Sequence, residues 1–467
     1  MLPNMRTALD VAFAPKSVAI IGASANPAKY GYQIIENLLK GGFTGRIYPV
    51  NPRGEAICGL APFPSLASVP GPVDLAAILL PAGQTVEAVR QCAAAGVTVA
   101  VTIAAGFAEA SDEGARNQEE MVAAARQAGI RLVGPNCQGL VNFHADLLLS
   151  FSIMYLGQAP GPVSIISQSG SYCGIVSSRL SRAGVGAAKV VSSGNEADLA
   201  AVDYIDYLAD DPDTRVILAH LEGISDPRRF ARVLGDVAAR KPLVINKTGR
   251  TEVGGRQARS HSGALASNDR VLDALLRQRG VVRTRHMDEL VNAALALASQ
   301  PPLAGRRVAV VSSAGGLAVE MADLLVEAGF VLPPFGRATQ EVLSRHVFWA
   351  GTISNPIDFV TPVPEAVGKC LEAVLADPGI DGVAFVLSAV RDPEFSRLAH
   401  GRIKESTKPV LVCWTAGRDR AGEAFEYFTT HGVPVFDSTI GLAQGLAALR
   451  DYWRFRLGAE FREEAGK

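Results

Sequence analysis

The chain has few cysteines, no excess of charge of either sign and no apolar run of membrane type. Its six cysteines, at positions 58, 92, 137, 173, 370 and 413, show no Cys-x-x-Cys spacing, which argues against a disulfide framework and a zinc site. The 45 basic and 46 acidic residues leave a net charge of −1. Neither nucleic acid nor an anionic membrane is therefore indicated as a partner.

Targeting and membrane signals are also missing. The first 13 residues hold no sustained apolar core and include Asp10, so we do not expect export. The longest uncharged apolar run, residues 91–108, contains Gly96 and changes from alanine to Val, Thr and Ile. That pattern fits a helix end, a turn and a buried strand better than a membrane span. We expect a cytoplasmic protein.

Several common catalytic and cofactor motifs are absent. Gly22 is followed by Ala23 and Ser24, so the Gly-x-Gly-x-x-Gly loop is missing, and the second predicted strand ends at Arg53 without an acidic residue. This disfavours a nicotinamide cofactor. Neither Ser167 nor Ser169 has the Gly-x-Ser-x-Gly context of a hydrolase, and no Walker A loop is present.

What is present is an alternation of short apolar runs with helical patterns. The runs at residues 17–22, 99–103 and 130–134 are apolar along nearly their whole length, as in strands buried on both faces of a parallel sheet. The chain's 467 residues suggest about three domains. We therefore predict an α/β protein whose first part is a doubly wound, Rossmann-like nucleotide-binding domain.

The rest of the chain repeats itself. "VSIISQSG" from Val163 resembles "VAVVSSAG" from Val308, and two later segments match at coincident offsets: residues 211–227 with 377–393, and 241–250 with 408–418. Such self-similarity indicates two copies of one α/β domain. The prolines near residues 298–307 read as a linker. We predict domains over residues 1–145, 146–300 and 301–467.

Two kinds of ligand site are predicted at strand ends. In the first domain the strand-to-helix turn could receive a phosphate, with Lys29 or Arg53 suited to a further phosphate; the alternative is an ordinary turn without ligand. In the repeated domains, "SQSGS" and "SSAGG" each place small residues at a helix start, where exposed N–H groups and the helix dipole favour an anion. The alternative is simple helix capping. The candidate residues are Ser169, Gly170 and Ser171 in the first copy and Gly315 and Gly316 in the second.

The first copy carries two features that its sister lacks. Glu222 lies where the second copy has Ser388, and residues 251–269, a predicted loop that holds His261, are an insertion. A carboxylate could fix one tautomer of an imidazole and leave the other nitrogen nucleophilic, so that a phosphate could form on it beside the anion sites. Taken alone, His261 would instead be a surface histidine.

Taken together, the motifs resemble those of the ADP-forming acyl-CoA synthetases. "RSHSGAL" is similar to that family's phosphohistidine loop and to the loop of the succinyl-CoA synthetase α-subunit. The resemblance covers essentially the whole chain. The other matching motifs are "GFAE" (106–109), "GPNCQGLVN" (134–142), "SQSGS", "SSGNEADL" (192–199) and "NPIDF" (355–359).

This resemblance implies a Rossmann-like CoA-binding domain followed by two flavodoxin-like, succinyl-CoA-ligase-like domains. It implies that His261 is phosphorylated, that Glu222 steadies it, and that the two helix starts bind phosphate. Two departures are that Ser262 replaces a threonine and that no proline follows Gly315 and Gly316. The residues it assigns to CoA are Gly22, Ser24 and Arg53, with Asn136 and Cys137 near the thiol end. We add Lys29 to the CoA-binding residues because its charge suits a phosphate.

The implied activity is that of an acid–thiol ligase. A carboxylic acid, CoA and ATP would be interconverted with acyl-CoA, ADP and phosphate through an acyl phosphate and phosphohistidine. Nothing in the sequence resembles an ATP-grasp domain. We therefore expect an α-subunit that uses ATP and Mg²⁺ through a separate ATP-grasp β-subunit, in a hetero-oligomer such as α2β2.

Two alternatives remain open at this point. One is a non-catalytic CoA-binding or regulatory protein that kept the scaffold. The other is an acyl or carbamoyl transferase that works without ATP. Either protein could dispense with the histidine, so His261 favours the ligase. The acyl pocket is expected near residues 169–172 and 139–155, which are apolar enough to admit an acid larger than acetate.

Overall fold

The protein is described here from a computed structural model that covers residues 3–262, 268–360, 362–388 and 390–457. These residues form two compact units. The first comprises the chain up to Ser181 together with Gly186–Arg285, and the second comprises Arg182–Val185 together with the chain from His286 onward.

The first unit begins with a five-stranded parallel sheet, in the order β2-β1-β3-β4-β5. Three of its strands lie at the apolar runs predicted at residues 17–22, 99–103 and 130–134, and their side chains are almost wholly buried because helices cover both faces of the sheet. The strands are β1 (Ser17–Ile21), β2 (Arg46–Val50), β3 (Leu75–Ile78), β4 (Val99–Thr102) and β5 (Arg131–Val133), and the helices are α1 (Pro3–Phe13), α2 (Tyr30–Lys40), α3 (Ala82–Ala94) and α4 (Asp112–Ala128).

A seven-stranded sheet completes the first unit, in the order β12-β11-β10-β8-β9-β6-β7. The first two strands along the chain, β6 and β7, are antiparallel to each other. They lie on either side of residue 145, the predicted end of the first domain. Ile20 of the first sheet and Ile166 of the second belong to one continuous hydrophobic core, which fixes the two sheets together. The strands are β6 (Gly139–Asn142), β7 (Leu147–Ser150), β8 (Pro160–Ser167), β9 (Ala187–Ser192), β10 (Val216–Leu221), β11 (Leu243–Lys247) and β12 (Val282–Thr284), and the helices are α5 (Gly170–Arg182), α6 (Ala201–Leu208), α7 (Pro227–Ala238), α8 (Glu252–Ser262) and α9 (Asp269–Gln278).

The second unit contains a five-stranded parallel sheet, in the order β14-β13-β15-β16-β17. Helices α10 and α17 of this unit are joined by a hydrogen bond from Asn292 to Gln444 of 2.9 Å. The strands are β13 (Val308–Ser312), β14 (Ile357–Asp358), β15 (Gly382–Leu387), β16 (Val410–Trp414) and β17 (Val435–Phe436), and the helices are α10 (Met287–Ser299), α11 (Gly315–Glu327), α12 (Arg337–His346), α13 (Pro364–Ala376), α14 (Pro393–Glu405), α15 (Arg418–Ala421), α16 (Glu423–Thr430) and α17 (Thr439–Arg456).

The predicted fold class is confirmed. The parallel part of the second sheet, β9-β8-β10-β11-β12, has the same order as the third sheet, and both have the 2-1-3-4-5 order of flavodoxin-like folds. The first sheet shares that order, which places it in the same doubly wound class.

One local prediction is wrong. Residues 251–269 were expected in a loop, but α8 runs from Glu252 to Ser262. The small residues around His261 suggested a loop, yet the eleven residues of α8 also include helix formers such as Glu252, Arg256 and Gln257.

Across the described ranges, no helix combines the length and the apolar character needed to cross a bilayer.

Candidate active site

The start of α5 is held by a hydrogen-bonded serine turn. The hydroxyl of Ser167, at the end of β8, accepts the N–H of Ser169 at 3.0 Å and donates to the carbonyl of Ser169 at 2.8 Å. A Cβ at Gly170 would lie 2.3 Å from Cγ of Gln138, so only glycine fits at the first helical position. The start of α5 thus places Ser169, Gly170 and Ser171 side by side. The N–H of Ser169 is bonded to Ser167, whereas the N–H groups of Gly170 and Ser171 belong to the first turn of the helix, where they lack intrahelical acceptors and can meet an anion.

This helix start faces a cavity of about 560 Å³ within the first unit. Its lining combines polar groups at the start of α5 with apolar side chains such as Leu79, Leu80 and Ile103, a mixture typical of small-molecule sites. It brings Asn136 and Cys137, predicted to lie near the CoA thiol, to the same space as the α5 start. The lining residues are Tyr30, Leu79, Leu80, Pro81, Ile103, Ala104, Ala105, Asn136, Cys137, Gln138, Phe151, Gln168, Ser169, Gly170 and Ser171.

A second cavity, of about 480 Å³, adjoins the end of β1. Its lining includes the other four residues that were assigned to CoA: Gly22, Ser24, Lys29 and Arg53. Gly22 has a φ of +89°, which favours glycine. The turn that bears Arg53 is held by Asn51, whose side chain accepts the N–H of Arg53 at 2.8 Å.

The two cavities share three lining residues, Tyr30, Leu79 and Leu80. The ring of Tyr30 stacks on that of Phe151, with centroids 4.0 Å apart and an angle of 14° between the planes. The cavity at the end of β1 and the cavity at the start of α5 are therefore neighbours, with Tyr30 in the wall of both.

Cys137 does not have the properties of a nucleophile. Its side chain is 5% exposed and its thiol donates to the carbonyl of Thr102 at 3.3 Å. Burial raises the pKa of this thiol to about 12, so it stays protonated at neutral pH. Cys137 can line a site, but it cannot supply a thiolate.

Glu222 directly follows β10 and is held by Gln168. The side-chain oxygen of Gln168 accepts the N–H groups of Glu222 and Gly223, and its amide nitrogen donates to the carbonyl of Gly223 at 3.1 Å. Gln168 also forms a hydrogen bond with Glu196. Burial raises the pKa of Glu196 to about 7, although hydrogen bonds from Ser193 and Gln168 act to lower it. The backbone at Glu222 is thus fixed beside the α5 start.

Lys247, the last residue of β11, places a buried ammonium group next to Glu222. The side chain is 3% exposed, and Nζ donates to the carbonyl of Glu222 at 2.8 Å and to the carbonyl of Thr248. Burial lowers the pKa of Lys247, whereas the carboxylates of Asp269 and Glu222 oppose that shift. A cation at this position favours negative charge nearby.

His220, on β10, lies between the α5 start and the residue after β11. It is 4% exposed, its Nδ1 lies 2.9 Å from Oγ of Ser167, and its Nε2 lies 3.3 Å from Oγ1 of Thr248. Its ring stacks on Tyr172 of α5, with centroids 3.8 Å apart. Burial lowers the pKa of His220 to about 3, so the imidazole is neutral at physiological pH.

The remaining predicted site residues are distributed as follows. The backbone at His261 belongs to α8, but its side chain lies outside the described residues. Gly315 and Gly316 belong to the second unit and begin α11, where Ser312 repeats the serine turn by accepting the N–H of Ala314 at 3.1 Å.

Sequence reasoning missed His220 and Lys247, whereas Tyr172 was expected only as part of the acyl pocket. A signal was available, because the segment match that pairs Glu222 with Ser388 also pairs His220 with Val386, and the next segment match pairs Lys247 with Trp414. Two polar residues replaced by large apolar ones in the sister copy indicate a site built on one copy only. Tyr30 and Phe151 gave no comparable signal, because they are far apart in the sequence.

Comparison with known families gives two matches within the chain. A family model described as a CoA binding domain matches residues 16–142, and one described as a succinyl-CoA ligase like flavodoxin domain matches residues 160–297.

Individual relatives match over nearly the whole chain. Subunit alpha of acetate–CoA ligase (ADP-forming) I from Pyrococcus furiosus is 34% identical over 461 residues, covering 96% of this chain and 98% of that one. Acetate–CoA ligase (ADP-forming) II from Archaeoglobus fulgidus is also 34% identical, over 95% of this chain and 67% of that protein.

A solved structure is similar over the same length. It is the dinucleotide-forming acetyl-coenzyme A synthetase 1 of Ca. Korarchaeum cryptofilum in complex with phosphate and ADP. The TM-score is 0.88 and the identity 31%, with 96% of this chain and 97% of that chain covered.

Proposed function

This chain belongs to the ADP-forming acyl-CoA ligase family, and from that premise we propose that it is the α-subunit of such an enzyme. The complete enzyme would interconvert a carboxylic acid, CoA and ATP with acyl-CoA, ADP and phosphate. The observation that carries the proposal is that two neighbouring cavities hold the residues assigned to CoA, and that one of them is lined by the start of α5.

CoA would lie along these cavities. Lys29 and Arg53 would pair with its phosphates, and Gly22 and Ser24 would admit the nucleotide end close to the backbone of the β1 turn. The flexible arm would pass Tyr30 toward Asn136 and Cys137. The thiol end would then lie in the cavity that the α5 start lines.

Phosphate would bind at the α5 start, where it would react with acyl-CoA. An oxygen of phosphate attacks the thioester carbonyl carbon, the C–S bond breaks, and the CoA sulfur leaves with the proton that phosphate gives up. The amides of Gly170 and Ser171 and the dipole of α5 would stabilise the negative charge in the resulting acyl phosphate.

His261 would then carry the phosphoryl group. Its imidazole nitrogen attacks phosphorus, the bond from phosphorus to the acyl oxygen breaks, and the carboxylate leaves. In the last step a terminal oxygen of ADP attacks phosphorus, the N–P bond breaks, and ATP is formed. Glu222 would hold the imidazole in the reactive tautomer.

The remaining parts of the proposal concern organisation. The domains would span residues 1–145, 146–300 and 301–467, and Gly315 and Gly316 would begin a second phosphate site. An ATP-grasp β-subunit would supply the nucleotide site and Mg²⁺, in a cytoplasmic hetero-oligomer such as α2β2. In the described part of this chain no three His, Cys, Asp or Glu side chains converge as metal ligands, so we assign no Mg²⁺ ligand to it.

The test is ATP-dependent phosphorylation of this chain in complex with its ATP-grasp partner. With γ-labelled ATP, the chain is expected to gain an acid-labile, base-stable phosphate, and His261→Ala is expected to abolish it. His346→Ala, at the end of α12, controls for the loss of a histidine and should keep the label.

Two outcomes would contradict the proposal. Retention of the label in His261→Ala would reject the phosphohistidine, and a complex that binds CoA without gaining any label would favour a non-catalytic CoA-binding protein.

A further inference from the structure

The hydrogen bonds around His220 define its tautomer. The single hydroxyl hydrogen of Ser167 is donated to the carbonyl of Ser169, so Oγ of Ser167 can only accept from the imidazole. Nδ1 of His220 therefore carries the proton, and Nε2 is an acceptor. The hydroxyl of Thr248 lies 3.3 Å from Nε2 and 3.3 Å from the carbonyl of Leu221, so its one hydrogen is shared between these two acceptors. His220 thus joins the α5 start to the residue that follows β11.

Tyr172 and Asn246 restrain this bridge further. The ring of Tyr172 lies parallel to the imidazole within 13°, and its hydroxyl donates to Oδ1 of Asn246 at 3.3 Å. The side chain of Asn246 donates in turn to the carbonyl of Thr284 on β12. The imidazole is therefore fixed both by its two nitrogens and by its face.

The second unit has the same serine turn and the same threonine contact, but no histidine between them. Ser312 makes the same two bonds to Ala314 as Ser167 makes to Ser169, although Val386 occupies the position of His220. The hydroxyl of Thr415 donates to the carbonyl of Leu387 at 3.3 Å. The hydroxyl of Thr248 makes the matching contact to the carbonyl of Leu221 at the same distance. Neither the serine turn nor the threonine contact therefore requires a histidine.

We propose that His220 is a positioning residue that fixes Thr248, from which the chain leaves β11 toward α8 and His261, relative to the anion-binding start of α5. The inference rests on the proposed function, because it assumes that phosphate at α5 is transferred to His261. A small displacement of a reacting group from its attack position can lower a rate by about 10²-fold. Loss of the bridge should therefore slow phosphoryl transfer while ligand binding continues.

The experiment compares Thr248→Val with Thr415→Val in the complex with the ATP-grasp partner. Both substitutions remove a hydroxyl bonded to a strand-end carbonyl, but only the first also removes the contact to an imidazole. We expect Thr248→Val to lower the single-turnover rate of labelling by γ-labelled ATP by about 10- to 100-fold. Thr415→Val should label at the wild-type rate, and the dissociation constant for CoA should stay within about twofold in both variants.

A double-mutant cycle tests whether the effect passes through His220. His220→Val installs the residue found at the matching position of the second unit, and it should slow labelling to a similar extent. The double variant should be no slower than either single variant, because both remove the same contact. His220→Gln retains a donor and an acceptor and should recover part of the rate.

The inference is overturned if Thr248→Val labels at the wild-type rate, if the two substitutions are additive, or if CoA affinity falls as much as the rate does. Failure of the proposed function is a different result, because it would leave the wild-type complex unlabelled or His261→Ala fully labelled.

Discussion

The second and third sheets differ most where their strands end, although their strand order is the same. Both keep the serine turn at the first helix, made by Ser167 in one sheet and by Ser312 in the other. A turn that satisfies backbone groups at a helix start serves the fold, so it survives in both copies.

The side chains around that turn have diverged. His220 and Lys247 are buried polar residues in the second sheet, and the third sheet has Val386 and Trp414 at the matching positions. Buried polar groups are costly unless they are hydrogen-bonded, and those of the second sheet have their partners. The difference indicates that one strand edge is specialised for chemistry and the other for packing.

The largest effect on stability is expected from truncating a large apolar side chain at the end of a strand in the third sheet. Trp414 is fully buried and its ring lies 6.0 Å from those of Phe425 and Phe428. Trp414→Ala should lower the free energy of unfolding of the second unit by about 3–5 kcal/mol, measured by urea denaturation. Trp414→Phe keeps most of the ring and should lose much less.

Lys247→Met should behave differently from Trp414→Ala. It retains the side-chain volume but leaves two carbonyls without their donor, so the loss of stability should be about 1–3 kcal/mol and the loss of ligase activity larger than that of Trp414→Phe. Equal losses of activity in these two variants would contradict a division of roles between the edges.

A second prediction separates the edges by activity. Glu222→Gln removes the carboxylate charge and should reduce labelling by γ-labelled ATP by about 10²-fold with CoA binding intact. Ser388→Ala at the matching position removes a bond to Ser313 and should leave labelling unchanged. A parallel loss of CoA affinity in Glu222→Gln, measured by calorimetry, would instead place Glu222 in the CoA site.

The smallest expected effect concerns a backbone position with a positive φ. In the second sheet it lies two residues after Ser192, which pairs with Ser167, and in the third sheet two residues after Asp358, which pairs with Ser312. Gly194 occupies this position with a φ of 59° and Val360 with a φ of 56°. A β-branched residue is strained there, so Val360→Gly should stabilise the protein by about 1 kcal/mol in urea denaturation. Val331→Gly, at a residue of similar exposure without a positive φ, should destabilise it. A loss of stability in Val360→Gly would refute the strain.

Much of the fold was predictable because its signals are local. Apolar runs located the strands, and small residues located the starts of α5 and α11. The loop prediction for residues 251–269 was wrong over α8, because small residues suggested a loop where the helix formers of residues 252–262 favour a helix. The pairing of Glu222 with Ser388 was found by comparing the two copies, and the same comparison would also have identified His220, which pairs with Val386.

By itself the sequence determined the fold class, the duplicated domain, the helix starts and the family, because each depends on the order and spacing of residues. Only the tertiary structure decided which side chains meet. His220 contacts Ser167 because parallel register pairs their Cα atoms across β10 and β8. Thr248 reaches the same imidazole because β11 lies on the other side of β10. Register and packing are properties of the assembled sheet, and they turned separate polar residues into one hydrogen-bonded site.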